Sequence, residues 1–275
     1  MMLLMNFKRS TDGMKKNKII IVLRVFLGLL LWFLSFKGLG WLVSLLIEGK
    51  IPEVLKLVAE SMLIPYTVSL GMFFLVVIGI KKSEIKGEKK ADAKMIIKAF
   101  IIQTGFSMPV IIFVNVIAVI AGFQIKGITA EELFGKYWIF YAILLLIFNP
   151  IFEELLFRKF VLERLLVLGE IPAILLTSFF FALPHLYSVG VPIFFGTFII
   201  AAVWGFIRVK TGKMWPVVLL HCMFNIYGSY LSQALSRNIF GTLLLAAFNL
   251  LIFPAAALVI SIVCFISKKK KTVSE

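Results

Sequence analysis

Residues 240–267 read FGTLLLAAFNLLIFPAAALVISIVCFIS, and Lys268, Lys269, Lys270 and Lys271 follow at once. Twenty-eight residues pass without one charged side chain. At a rise of about 1.5 Å per residue they make a helix about 42 Å long, more than the roughly 30 Å of a bilayer's hydrocarbon core. A backbone inside that core has no water to bond to, so it must satisfy itself as a helix. The run therefore reads as a membrane-spanning helix that ends on a basic interfacial cluster.

The same pattern extends through the 275 residues. Apolar runs near 19–47, 54–80, 95–123, 137–165, 171–188, 190–209, 215–233 and 240–267 predict about eight spans. The fold class is all-α, a polytopic integral membrane protein, with 1–275 forming a single membrane domain. Within it, residues 1–94 hold the N-terminal spans and a polar loop, and 137–230 hold the candidate chemistry. Lys37 with Gly38 and Gly40 is a second place where the first span can end. That span starts beyond Lys18 without a small-residue cleavage site, so we read it as retained rather than as a signal peptide.

Composition agrees. Apolar residues make up 61% and charged residues 16% of the chain, where a soluble domain carries roughly a quarter charged. The mean hydropathy is +1.04. Soluble, disordered and coiled-coil classes are excluded. The formal charge of +15 would suggest nucleic acid in a soluble protein, but in a membrane protein it marks cytoplasmic loops and contact with anionic lipid. No nucleic-acid partner is expected. Lys15, Lys16 and Lys18, Lys81, Lys82, Lys89 and Lys90, Arg158, Lys159 and Arg164, Arg208, Lys210 and Lys213, and Lys268 to Lys271 all fall on one side when the N-terminus is cytoplasmic. The opposite loops hold mainly Lys50, Lys126, Lys136 and Arg237. The positive-inside rule thus predicts a multi-pass protein of the cell membrane with both termini in the cytoplasm. Cys222 and Cys264 lie in apolar runs without metal or redox spacing, and read as packing residues.

Ionisable residues at membrane depth cost about 2.5–3.5 kcal/mol each on insertion scales, so those a span keeps are candidates for function. Three groups stand out. Asn149-Pro150-Ile151-Phe152-Glu153-Glu154-Leu155-Leu156-Phe157-Arg158 places two acids late in a span. Glu154 and Arg158 are four apart and share a helix face, acid first, which favours their pairing. Glu153 lies about 100° round the helix from that face, in position to act as a general base in a low-dielectric cavity. Phe181-Ala182-Leu183-Pro184-His185 and His221-Cys222-Met223-Phe224-Asn225 contain both histidines of the chain. Pro184 withholds a backbone donor beside His185, and His221 shares a face with Asn225. Measured from the cytoplasmic ends, Glu153 and His185 lie roughly 20 Å deep and His221 and Asn225 roughly 10–18 Å. An acid, two imidazoles and an amide at one level suit water activation and oxyanion stabilisation. Glu153, His185 and His221 are also candidate ligands for a divalent metal such as zinc, although the chain has no His-Glu-x-x-His. Glu60, Gln103 and Asn115 read as helix-packing or interfacial residues.

In order and spacing, Glu153-Glu154-x-x-x-Arg158, Phe181-x-x-x-His185 and His221-x-x-x-Asn225 resemble the three motifs of the CAAX protease and bacteriocin-processing (CPBP or ABI) family of intramembrane endopeptidases. Thr211-Gly212-Lys213-Met214-Trp215-Pro216 resembles the family's short turn before its third motif, and the resemblance covers roughly Tyr137 to Tyr230. It implies about eight helices around a conical catalytic cavity facing the cytoplasm. By motif position, Glu153 activates the attacking water with help from His185, while His221 and Asn225 stabilise the oxyanion. Glu154, Arg158 and Phe181 support them. The family is often labelled metal-dependent, while a glutamate mechanism without tightly bound metal is also described for its eukaryotic relatives. The expected partner is a peptide or protein substrate at the membrane: lipidated, leader-type or membrane-embedded. The alternative within this fold is a catalytically silent binding protein, such as a bacteriocin-immunity or regulatory factor. A proton-coupled transporter is the third reading, weakened by the lack of an internal repeat.

Overall fold

In a computed structural model, residues 2–123, 127–188 and 190–274 are described. Lys126 and the side chains of Lys15, Lys16, Lys268, Lys270 and Lys271, all used in the orientation reading, lie outside what is described. Among the described residues there are helices and no strands. We number them α1 (Met2–Ile47), α2 (Glu53–Val77), α3 (Ala93–Ile120), α4 (Ala130–Phe134), α5 (Trp138–Leu168), α6 (Glu170–Ser188), α7 (Val191–Thr211), α8 (215–235) and α9 (239–274).

Seven of these are long and apolar enough to cross a membrane: α1 from Asn17, α2, α3, α5, α6, α7 and α9 as far as Ser267. The chain is therefore an all-α, polytopic membrane protein. The eighth expected span, 215–233, is a continuous helix but falls outside that set. Its hydropathy is diluted by His221, Asn225, Gly228, Ser229, Ser232 and Gln233, all of which face a cavity. The first span does not stop at Lys37. The helix runs on to Ile47, and the Lys37 ammonium lies 4.5 Å from the Phe36 ring centroid, where the ring face shelters the charge.

The helices pack as two compact units, residues 1–84 with 156–176, and residues 85–155 with 177–275. In the first, α1 and α2 are the main pair, with Val25 and Phe73 fully buried. Arg24 donates to the carbonyls of Val76 and Ile78 at 2.6–2.9 Å. It thereby satisfies carbonyls at the end of α2 that have no partner within the helix. Trp32 Nε1 donates to the Pro65 carbonyl at 2.8 Å.

In the second unit, α3 packs chiefly on α7 and α9. Small residues permit this close approach, as is usual for helices in lipid. A Cβ at Gly196 of α7 would stand 2.2 Å from the Ile111 side chain, and one at Gly105 of α3 would stand 2.4 Å from the Phe253 carbonyl oxygen. At the far end of α7, Gly212 adopts the left-handed conformation that closes a helix (φ +67°). The Lys210 carbonyl there accepts from the N–H groups of both Glu88 and Lys89, so the loop after residue 84 is fastened to the end of α7.

Candidate active site

The site lies wholly in the second unit, on α5, α6, α7 and α8, with α3 behind them. On α5 its geometry begins with a proline. Residues Leu144–Phe148 form a π-turn, and the Asn149 N–H bonds to the Leu144 carbonyl five residues back. The next bond in that register would run from residue 150 to Leu145, but Pro150 has no N–H to give. The Leu145 carbonyl accepts instead from Asn225 Nδ2 at 2.8 Å. The third motif is thus tied to α5 about two turns before the two acids. π-turns of this kind are frequent at functional sites.

Each histidine has a defined partner at Nδ1. His185 Nδ1 lies 3.0 Å from the Phe181 carbonyl oxygen, one helical turn back. A carbonyl only accepts, so Nδ1 carries the proton and Nε2 presents a lone pair. His221 Nδ1 lies 3.1 Å from Glu154 Oε1, with Glu154 fully buried and His221 5% exposed. A carboxylate at that position also keeps Nδ1 protonated, and in addition it can balance the charge of an imidazolium. Two identical side chains are therefore prepared for different work by what stands at Nδ1.

The His221 ring is held by aromatic neighbours as well. Trp204 stacks on it at 4.4 Å between centroids and 24° between planes. Phe181 meets the same imidazole edge-on at 6.1 Å and the Trp204 ring at 5.8 Å.

A cavity of about 450 Å³ runs along these helices. Glu153, His185, His221 and Asn225 all line it, together with Phe181, Trp204 and Asn149. Glu154 supports His221 from behind that wall. Arg158 is fully buried, belongs to the first unit and does not line the cavity. The inner end is walled by the buried residues Phe181, Ile200, Trp204 and His221. The outer end is walled by Ile128, Gln233, and the exposed Gly127 and Ser236. The cavity thus leads from His221 toward Gly127 and Ser236.

With the motifs gathered on one cavity, the comparison with known families becomes informative. The model for "Rce1-like: Type II CAAX prenyl endopeptidase Rce1-like" matches residues 134–227. The matched segment is Rce1-like. Its limits lie three residues from those read in the sequence at either end (137 against 134, 230 against 227), and it contains all three motifs. No curated protein and no solved structure matches the chain. The Rce1-like match supports a CAAX-type intramembrane protease in general.

The donor set of the Rce1-like segment does not suit a metal held by several side chains. Among the described residues no three His, Cys, Asp or Glu side chains gather closely enough to hold an ion, whereas a catalytic zinc takes three protein ligands.

Two residues of this site lie outside the motifs. Trp204 gives no local signal, because a tryptophan in an apolar span usually reads as packing. Gln103 does give one, as an amide at membrane depth in α3. Its partner lies 101 residues away, so no local pattern reveals what it serves.

Proposed function

We propose that this chain is an intramembrane endopeptidase in which Glu153 activates the attacking water. The observation that carries this reading is the convergence of Glu153, His185, His221 and Asn225 on one cavity, with the proton at each Nδ1 already assigned a place. Glu153 accepts a proton from water as its oxygen attacks the carbonyl carbon, and the Nε2 lone pair of His185 orients that water. The carbonyl oxygen becomes an oxyanion. His221, charged and balanced by Glu154, donates from Nε2, and Asn225 donates the amide hydrogen that Leu145 does not use. When the carbon–nitrogen bond breaks, the proton taken by Glu153 passes to the leaving nitrogen, giving a carboxylate and an amine. No step requires a metal.

The substrate class that suits this cavity is a lipidated, leader-type or membrane-embedded peptide or protein, and anionic lipid is the partner of the basic clusters. The same clusters support both termini in the cytoplasm of a cell-membrane protein. In that orientation the exposed wall at Gly127 and Ser236 faces away from the basic ends. The peptide then enters from the non-cytoplasmic side, the reverse of the side implied by the resemblance. Thiol labelling of intact cells decides the point. A Ser236→Cys protein reacts with a membrane-impermeant reagent from outside while Lys213→Cys does not, and the opposite pattern would sink this orientation.

Cleavage is tested by mass spectrometry. Purified protein in nanodiscs is incubated with lipidated and leader-type peptides in heavy-oxygen water, with a Glu153→Gln, His185→Ala double variant as background. We expect products whose new carboxyl terminus carries one heavy oxygen, formed by the wild type alone and undiminished by a strong chelator. Products formed equally by both proteins would defeat the assignment. Loss of cleavage in chelator, restored by zinc, would overturn the metal-free mechanism.

A further inference from the structure

Gln103 is fully buried in the middle of an apolar span. Lipid offers a primary amide no partner there, so the amide's bonds must be made within the protein. Both ends are engaged. Oε1 accepts the indole N–H of Trp204 at 2.6 Å, and Nε2 reaches the carbonyl of Leu220, the residue before His221, at 3.4 Å. An indole has a single donor, so the short bond fixes the rotation of the Trp204 ring. That ring is the one stacked on His221. Rotating it out of plane would remove the flat surface against which the imidazole lies.

We propose that Gln103 is a positioning residue for His221, acting through Trp204: the amide sets the indole plane, and the indole sets the imidazole plane. Glu154 restrains the ring at one atom, which still allows it to swing about the Nδ1–Oε1 direction. The stacked indole removes that remaining freedom and keeps Nε2 directed at the cavity. An apolar residue at 103 would fill the same volume between α3 and α7 but would give the indole no preferred direction. The difference shows where Nε2 is used, in the transition state rather than in substrate binding. The catalytic part of this inference rests on the proposed peptidase reading; the ring geometry does not.

The chain has only two histidines, so isotope-labelled histidine gives two imidazole ring systems in a nanodisc spectrum, and His185→Asn leaves that of His221 alone. In the wild type we expect a single set of His221 ring signals, with a proton on both nitrogens, since Nε2 is the donor in the proposed reaction. In Gln103→Leu the His221 ring nitrogens shift and broaden, and kcat falls about 10- to 100-fold with KM within about twofold. Gln103→Glu, which as the neutral acid keeps an acceptor oxygen for the indole and an O–H for the Leu220 carbonyl, restores the spectrum and most of the rate when assayed at mildly acidic pH. Should Gln103→Leu fail to insert, Trp204→Phe gives the same reading, since it keeps an aromatic ring but has no donor for the Gln103 oxygen. Unmoved His221 nitrogens in Gln103→Leu and Trp204→Phe would overturn the proposal. Equal shifts in Gln103→Leu and Gln103→Glu would overturn it too, by assigning the effect to packing. A wild type that cleaves nothing would defeat the peptidase reading, while the spectrum still decides the clamp.

Discussion

Replacing Glu153 by Gln lowers the rate of peptide cleavage about 10²–10⁴-fold, the usual contribution of a positioned general base, and leaves insertion and folding intact. The substitution is isosteric and keeps hydrogen-bonding capacity at the cavity wall; it removes only the ability to take a proton from water. Glu153 is half-buried and lines the cavity, so the neutral amide meets no new desolvation penalty there. The check is kcat for whichever peptide the mass spectrometry identifies, measured beside thermal unfolding in detergent. Turnover close to wild type would remove Glu153 from the reaction and favour the catalytically silent binding protein. A protein that no longer inserts would instead make Glu153 a structural acid.

Glu154→Gln has a comparable effect on rate for a different reason, and it also costs stability. The Glu154 carboxylate faces His221 Nδ1 at 3.1 Å and has no exposed surface. A glutamine oxygen can still accept from Nδ1, so the ring is not released. What disappears is the negative charge that balances the imidazolium, and with it the Nε2 proton offered to the oxyanion. Loss of the acid behind a catalytic histidine costs on the order of 10⁴ in serine proteases. We expect a fall of about 10²–10⁴ in kcat with KM little changed. The imidazole gives up that proton rather than staying as an unpaired buried charge, so the cost in stability is that of exchanging a charge-assisted for a neutral hydrogen bond, about 1 kcal/mol, and the melting temperature in detergent falls slightly. The two readouts separate the possibilities. If Glu154 served only to pair with Arg158 on its own helix, the protein that remains folded would turn over at the wild-type rate.

That contrast marks the reach of helix spacing as a guide. Spacing offers Glu154 a partner four residues away, and the spacing is real. The imidazole that its carboxylate meets lies 67 residues further along the chain, and only the packing of α8 on α5 brings it there. Asn225 is similar. Its place in a motif marks it as a candidate, yet its bond to the Leu145 carbonyl follows from a π-turn and a proline on another helix. The proline is legible in the sequence; the register that orphans Leu145 rather than a neighbouring carbonyl is not.

Hydropathy alone determined that this is a polytopic helical membrane protein and where most of its helices run. The bilayer imposes a length and a polarity on every span, and both can be counted along the chain: 190–209 became Val191–Thr211, and 95–123 became Ala93–Ile120. The cost of burying polar groups in lipid also singled out Glu153, His185, His221 and Asn225, because each falls within an apolar run. Tertiary structure alone decided which partner each polar atom took, that α8 would be diluted by its cavity face, and that Gln103 and Trp204 stand behind His221. The physical reason is that transfer into lipid is a property of each segment by itself, whereas a hydrogen bond is fixed by the relative placement of two groups, here on helices far apart in the sequence.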